Sequence, residues 1–247
     1  MKGKWIMTVS AVGVAAYMLA DVLHEVVGHG GACLIIGHRI DLISSVYFKS
    51  HPGSFLIDLG GPVSNLFFGL LIHGFLKRRK HLSLFSAFLL LNIMTYNLFW
   101  FSGTILQSGF STGDWTYSIN ELHIGTLGKP VLIIAGIMAY LLSIKITRRH
   151  VNRMKEIFTG FQLKQSILYA WLAAVTAAVI AGLFFKYDRM HAAFEGLLEA
   201  IGALPIIFIT GKQTKANNYQ PATSPVFVVV IFVLFVAFCL ALGRGIA

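Results

Sequence analysis

Two histidines and a glutamate interrupt a run that otherwise suits lipid. Residues 24–29 read His24-Glu25-Val26-Val27-Gly28-His29, between the apolar stretches WIMTVSAVGVAAYMLA and GACLIIG. The expectation is an H-E-x-x-H arrangement, with the imidazoles at i and i+4 on one face of a helix. Such a pair binds one zinc ion, and the glutamate serves as general base for a water that the metal makes more acidic. The base can then return its proton to a leaving amine. Ionisable groups within membrane spans mark functional sites by default. This outweighs the competing reading, interfacial histidines capped by a glutamate.

A catalytic zinc takes three protein ligands and keeps one position open. The third is expected among carboxylates that reach the same depth and side. Asp58 precedes Gly60-Gly61-Pro62-Val63-Ser64-Asn65, and Asp114 lies in Ser111-Thr112-Gly113-Asp114-Trp115.

The elements that must position these groups are membrane helices. Of the 247 residues 56% are hydrophobic and only 12% charged, with mean hydropathy +0.74. Soluble domains of this size are closer to about a quarter charged. Seven apolar runs predict an all-α polytopic bundle with spans near 5–36, 54–76, 82–106, 130–147, 165–185, 192–210 and 225–243. The first run is long enough for one tilted helix or for a helix that breaks near Gly28–Gly31. A cleavable signal peptide is not expected, because the basic start flows into the histidine segment without a polar stretch. Residues 211–224 read as a polar linker.

Net charge is +10, and the bases flank apolar runs, where they report orientation and lipid headgroups rather than nucleic acid. Lys2 and Lys4, Lys77 to Lys80, the group from Lys145 to Lys164, and Lys212 with Lys215 occupy alternate connections and hold 14 of the 20 Lys and Arg. The positive-inside rule then predicts a cytoplasmic amino terminus and an outward carboxyl terminus. On that topology the histidine segment, the 60–65 segment and Asp114 converge toward one side. Cys33 and Cys239 lie in apolar runs and suggest neither a metal pair nor a disulfide.

With these elements in view, the chain resembles the site-2 protease family of intramembrane zinc metalloproteases over about residues 18–118. The resemblance rests on His24, Glu25 and His29, on Gly61-Pro62-Val63-Ser64-Asn65, and on Asp114 in Thr112-Gly113-Asp114-Trp115. It implies His24, His29 and Asp114 as Zn2+ ligands, Glu25 as the catalytic base, and Gly61 and Asn65 as substrate-binding residues. Asp58 is the alternative third ligand. Residues 1–129 would form the protease-like core and 130–247 accessory helices, in one integral membrane domain. The family's aspartate is often followed by glycine, whereas here Gly113 precedes it.

Other residues carry competing readings. Asn65 is expected either to line the substrate cleft or to hydrogen-bond between helices. Asn92 and Asn97 read as helix–helix contacts. Asp21 either supports a ligand or snorkels. Glu195 and Glu199, at i and i+4, form either a separate ion or proton site or pairs with Arg189 and Lys186. Trp100, Phe101 and Trp115 read as interfacial belt residues. The expected activity is hydrolysis of peptide bonds in or near membrane spans. The alternatives are a non-catalytic metal- or proton-handling membrane protein and a metal-dependent hydrolase of lipid or prenyl-peptide substrates. Expected partners are the bilayer, a membrane-protein or peptide substrate and a regulatory membrane protein, with no nucleic acid; the expected compartment is a prokaryotic plasma membrane.

Overall fold

The structure is a computed structural model describing residues 2–79, 81–123, 125–158, 162–210 and 224–246. It is 81% helical, and seven of its helices are long and apolar enough to cross a membrane. They run Gly3–Ile35, Phe55–Arg78, Leu84–Phe110, Gly128–Ile157, Leu163–Leu183, Arg189–Ile209 and Pro225–Gly243, where the apolar runs place them. Lys80, Lys212, Lys215 and nearly all of the polar linker lie outside the described residues.

The first span is neither one regular helix nor a broken one. It comprises α1 (Lys2–Val22), a π-helical stretch (Leu23–Gly30) and α2 (Gly31–Ile35). This corrects the expected spacing. The fourth residue after His24 is Gly28, and His29 is the fifth. An α-helix of about 3.6 residues per turn would leave side chains five positions apart about 140° from each other. The wider π turn, hydrogen-bonded i to i+5, returns the fifth residue to the same face. The pairing of the two histidines therefore depends on this local rewinding.

An element absent from the sequence reading follows. β1 (Arg39–Ile43) and β2 (Phe48–His51) form an antiparallel hairpin, with Arg39 opposite His51 and Ile43 opposite Phe48. The Ser44 hydroxyl accepts from the backbone N–H of Tyr47, which closes the turn. On its other edge Ile43 exchanges two backbone hydrogen bonds with Ile246, at 2.8 and 2.9 Å, so the last described residues cover β1.

α3 (Phe55–Arg78) starts at Ser54, whose side chain accepts from the Leu56 N–H, and it runs on through Pro62. Proline has no N–H, so the Asp58 carbonyl loses its usual partner there. α4 (Leu84–Phe110) is apolar on all sides and is the buried centre of the bundle. α5 (Asp114–Glu121) caps it on the side of the hairpin. α6 (Gly128–Ile157) packs along α4 and turns Ile134, Met138 and Leu141 outward, as a lipid-facing surface would. At its far end Arg153 donates to the Leu76, Lys77 and Arg79 carbonyls, capping the last turn of α3.

α7 (Leu163–Leu183) lies against α1 and against α8 (Arg189–Ile201). The sixth span bends between α8 and α9 (Pro205–Ile209), where the Tyr140 hydroxyl donates to the Gly202 carbonyl. Backbone groups freed at membrane depth need such a partner. α10 (Pro225–Phe238) and a final π turn (Cys239–Gly243) complete the bundle. A single hydrophobic cluster runs from Trp5 to Leu242, so residues 1–129 and 130–247 share one core.

Candidate metal centre

His24, Glu25 and His29 are all buried, and their donor atoms lie within 4.8 Å of one another, so the cluster could hold a metal ion. His24 Nε2 and His29 Nε2 stand 3.1 Å apart. Asp114, from the first turn of α5, brings Oδ2 to 3.2 Å from His24 Nε2 and Oδ1 to 3.7 Å from His29 Nε2. Asp114, rather than Asp58, is the carboxylate within 4 Å of both imidazoles.

The protonation of these imidazoles follows from their outer partners. The Ile57 carbonyl lies 2.6 Å from His29 Nδ1 and can only accept, so Nδ1 carries the proton. The His24 case runs through three residues. Asn97 Nδ2 donates to the Ile93 carbonyl, which turns Asn97 Oδ1 toward Asn65. Asn65 Nδ2 donates to that oxygen at 2.9 Å and to the Ala20 carbonyl at 3.0 Å. Asn65 Oδ1 therefore faces His24 Nδ1, at 2.6 Å, and accepts its proton. Such outer hydrogen bonds fix the tautomer and orientation of ligating histidines.

Both Nε2 atoms are thus left as acceptors, aimed at each other and at a carboxylate. Three acceptors converge at 3.1–3.7 Å with no donor among them. A cation relieves that repulsion. Separations of 3.1–3.7 Å are close to those of donor atoms around one metal ion, so the residues could hold one. Glu25 follows His24 by one residue and brings a carboxylate oxygen within 4.8 Å of both imidazole donors. It is 4% exposed, and its Oε2 has no hydrogen-bond partner.

The structure places the two expected substrate-binding residues against the imidazoles. Asn65 is fully buried, and its amide makes the interhelical hydrogen bonds that were one of its two expected roles, to His24, Ala20 and Asn97. Gly61 faces the two imidazoles. A Cβ there would lie 2.7 Å from His24 Nε2 and closer still to His29 Nε2, so its missing side chain is the floor on which the imidazoles rest. The small residues also let the two helices meet. A Cβ on Gly28 would come within 2.6 Å of the Gly60 carbonyl oxygen, and one on Gly60 would strike the Gly28 backbone. Gly31 has open space and needs no such explanation.

Aromatic rings close the sides of the centre. Trp100, expected in an interfacial belt, is 4% exposed, with its ring 5.9 Å from that of His24. Phe48 of the hairpin stacks on His29 at 5.4 Å. Trp115 donates to the Thr104 hydroxyl at 3.2 Å. Asp21 is wholly buried and does not snorkel; neither carboxylate oxygen has a hydrogen-bond partner.

A cavity of about 840 Å³ opens beside the centre, lined by the hairpin, α4, α5 and α8. Glu195 and Glu199 line this same cavity instead of forming a separate site. Glu195 accepts from Gln107 at 3.3 Å and faces His191 at 3.7 Å, not Arg189 or Lys186. The Tyr47 hydroxyl and His191 Nδ1 are hydrogen-bonded to each other across the cavity. Burial, with the nearby carboxylates Glu195, Asp188 and Glu199, pushes the Tyr47 phenol up to about 12.

Comparison with family models, curated proteins and solved structures finds no match. Sequence reasoning missed Ile57, Phe48, Tyr47 and His191. Ile57 acts through its carbonyl, which no residue type reveals. The hairpin had one usable signal, the β-branched and aromatic residues flanking Ser44-Ser45. His191 had none.

Proposed function

We propose that the protein is a membrane-embedded zinc metalloendopeptidase that hydrolyses peptide bonds in or near transmembrane segments. One observation carries this reading: two unprotonated imidazole nitrogens and the Asp114 carboxylate converge in an apolar bundle, with the Glu25 carboxylate beside them. Two imidazoles and one carboxylate are a donor set that suits zinc and leaves a position open. Because the histidine spacing departs from H-E-x-x-H, the reading rests on this donor geometry rather than on the motif.

His24, His29 and Asp114 would hold the ion. When bound, zinc supplies a Lewis acid for the scissile carbonyl and makes water more acidic. Glu25 would be the group placed to accept a proton from a water at the centre and to return it to the departing amine. Its free Oε2 is the atom available for this. Asn65 and the Ile57 carbonyl keep both Nε2 atoms turned inward. Trp100 and Phe48 shield the imidazoles from water on their outer sides. The neighbouring cavity takes the substrate as a locally unwound segment, since a helical peptide bond is shielded by its own turn.

The glutamate separates an enzyme from a metal carrier, because metal retention needs only the other three residues. The test is metal analysis of the detergent-purified protein together with cleavage of a membrane-span peptide. Wild type should hold about one zinc per chain and cleave. His24→Ala should lose the metal. Glu25→Gln should keep it and lose about 10²–10⁴-fold in turnover. Metal-free wild type under non-stripping conditions overturns the reading. Full function in Glu25→Gln assigns the centre to metal handling instead.

A further inference from the structure

The acidic residues of this basic protein are gathered in one place. The chain has 20 Lys and Arg but only 10 Asp and Glu. Six of those ten line the cavity beside the metal centre, and among the described residues Lys49 is the one Lys or Arg that does so. Asp114 belongs to the centre itself. The other five approach from opposite sides: Asp41, Asp58 and Glu121 from the hairpin, α3 and α5, and Glu195 and Glu199 from α8. Arg39 offsets Asp41 from the rim, at 2.8 Å, and His191 faces Glu195. Glu121 is exposed and has no base within 4 Å of its carboxylate among the described residues.

A second observation points to a donor-bearing occupant. Ser108 lines the cavity, is 1% exposed, and its hydroxyl has no hydrogen-bond partner. Glu199 Oε2, on the same wall, is also unpartnered. Buried polar groups without partners are rare in folded proteins, and a ligand or water with N–H or O–H groups satisfies both of these. A cationic side chain brings several N–H donors and a charge opposite to the wall.

We propose that this cavity selects substrates carrying a lysine or arginine within a few residues of the scissile bond. The proposal rests on the peptidase reading above and names its substrate class. Lysine and arginine are abundant where membrane spans meet water, so such a preference would direct cleavage toward the end of a span.

The test compares three apolar peptides that differ only in a Lys-Lys, Gln-Gln or Glu-Glu pair. Binding is read by fluorescence anisotropy to Glu25→Gln protein in uncharged detergent, and cleavage by kcat/KM of wild type. The expected binding order is Lys-Lys, Gln-Gln, Glu-Glu, with about tenfold between the extremes at low salt and a smaller span at high salt. Glu121→Gln combined with Glu195→Gln should flatten the order. Equal binding of the three peptides, a preference for Glu-Glu, or no binding at all overturns the proposal. Cleavage without charge preference overturns this proposal and leaves the peptidase reading standing. Ordered binding with no cleavage of any peptide overturns the peptidase reading and leaves the cationic selectivity of the cavity.

Discussion

His24 Nε2 and His29 Nε2 stand 3.1 Å apart although five positions separate them in the chain. The π-helical stretch Leu23–Gly30 makes that approach possible, and α3 holds it in place. Asn65 secures one imidazole and the Ile57 carbonyl the other, so a single helix sets the tautomer of both.

Asn65 therefore acts through His24. Asn65→Leu should weaken zinc binding about 10–100-fold, the usual loss when an outer hydrogen bond to a ligating histidine is removed. Asn65→Asp keeps the acceptor and should lose less. Competition with a chromogenic chelator measures both. A raised KM with unchanged metal affinity would restore the substrate-binding role instead.

The Gly28–Gly60 contact leaves no room for a methyl group. Gly28→Ala or Gly60→Ala should cost about 1–3 kcal/mol, as overpacking does when the obstacle is backbone. Gly31→Ala meets nothing within 4 Å and sits in a helix, so it should be neutral or stabilising by up to about 1 kcal/mol. Thermal unfolding in detergent separates the two. Equal effects at Gly28 and Gly31 would contradict the close approach.

Metal removal should be felt as lost stability, because a ligand that binds only the folded state adds to its free energy. A chelator should lower the unfolding temperature of wild type and leave His24→Ala unmoved. An Asp114→Ala protein should behave like His24→Ala. If it responds like wild type, the third ligand lies elsewhere, with Asp58 next in line.

Tyr47 supplies a pH signature outside the membrane spans. Its phenol is pushed up to about 12 from an ordinary value near 10. A raised folded-state value means that the neutral form is favoured by folding. That contribution is complete below about pH 10 and is lost as pH rises through 12. Tyr47→Phe should remove this part of the alkaline destabilisation, and the difference in absorbance at the tyrosinate band should show its midpoint near 12. A midpoint near 10 would mean that Tyr47 is neither buried nor close to Glu195, Asp188 and Glu199.

The seven spans were legible because each is a long apolar run, and length with hydropathy is a local property. His24, Glu25 and His29 were legible for the same reason, since ionisable groups in such a run stand out. Their spacing was not read correctly. A pattern of two histidines does not state the helical pitch, and only the π turn reconciles five positions with one face. Trp100 shows the same limit in another form. Its residue type suits a membrane interface, but its place on the central helix α4 buries it against His24.

By itself the sequence determined the class of the protein, the number and rough limits of its spans, and which side chains were too costly in lipid to be there without a purpose. Tertiary structure alone decided which carboxylate faces both imidazoles, that Asn65 serves His24, and that acids from the hairpin, α5 and α8 share one cavity. The reason is physical: hydropathy is carried by each residue wherever it stands, whereas a hydrogen bond from His29 to the Ile57 carbonyl exists only once two distant helices have been brought to a given depth and rotation.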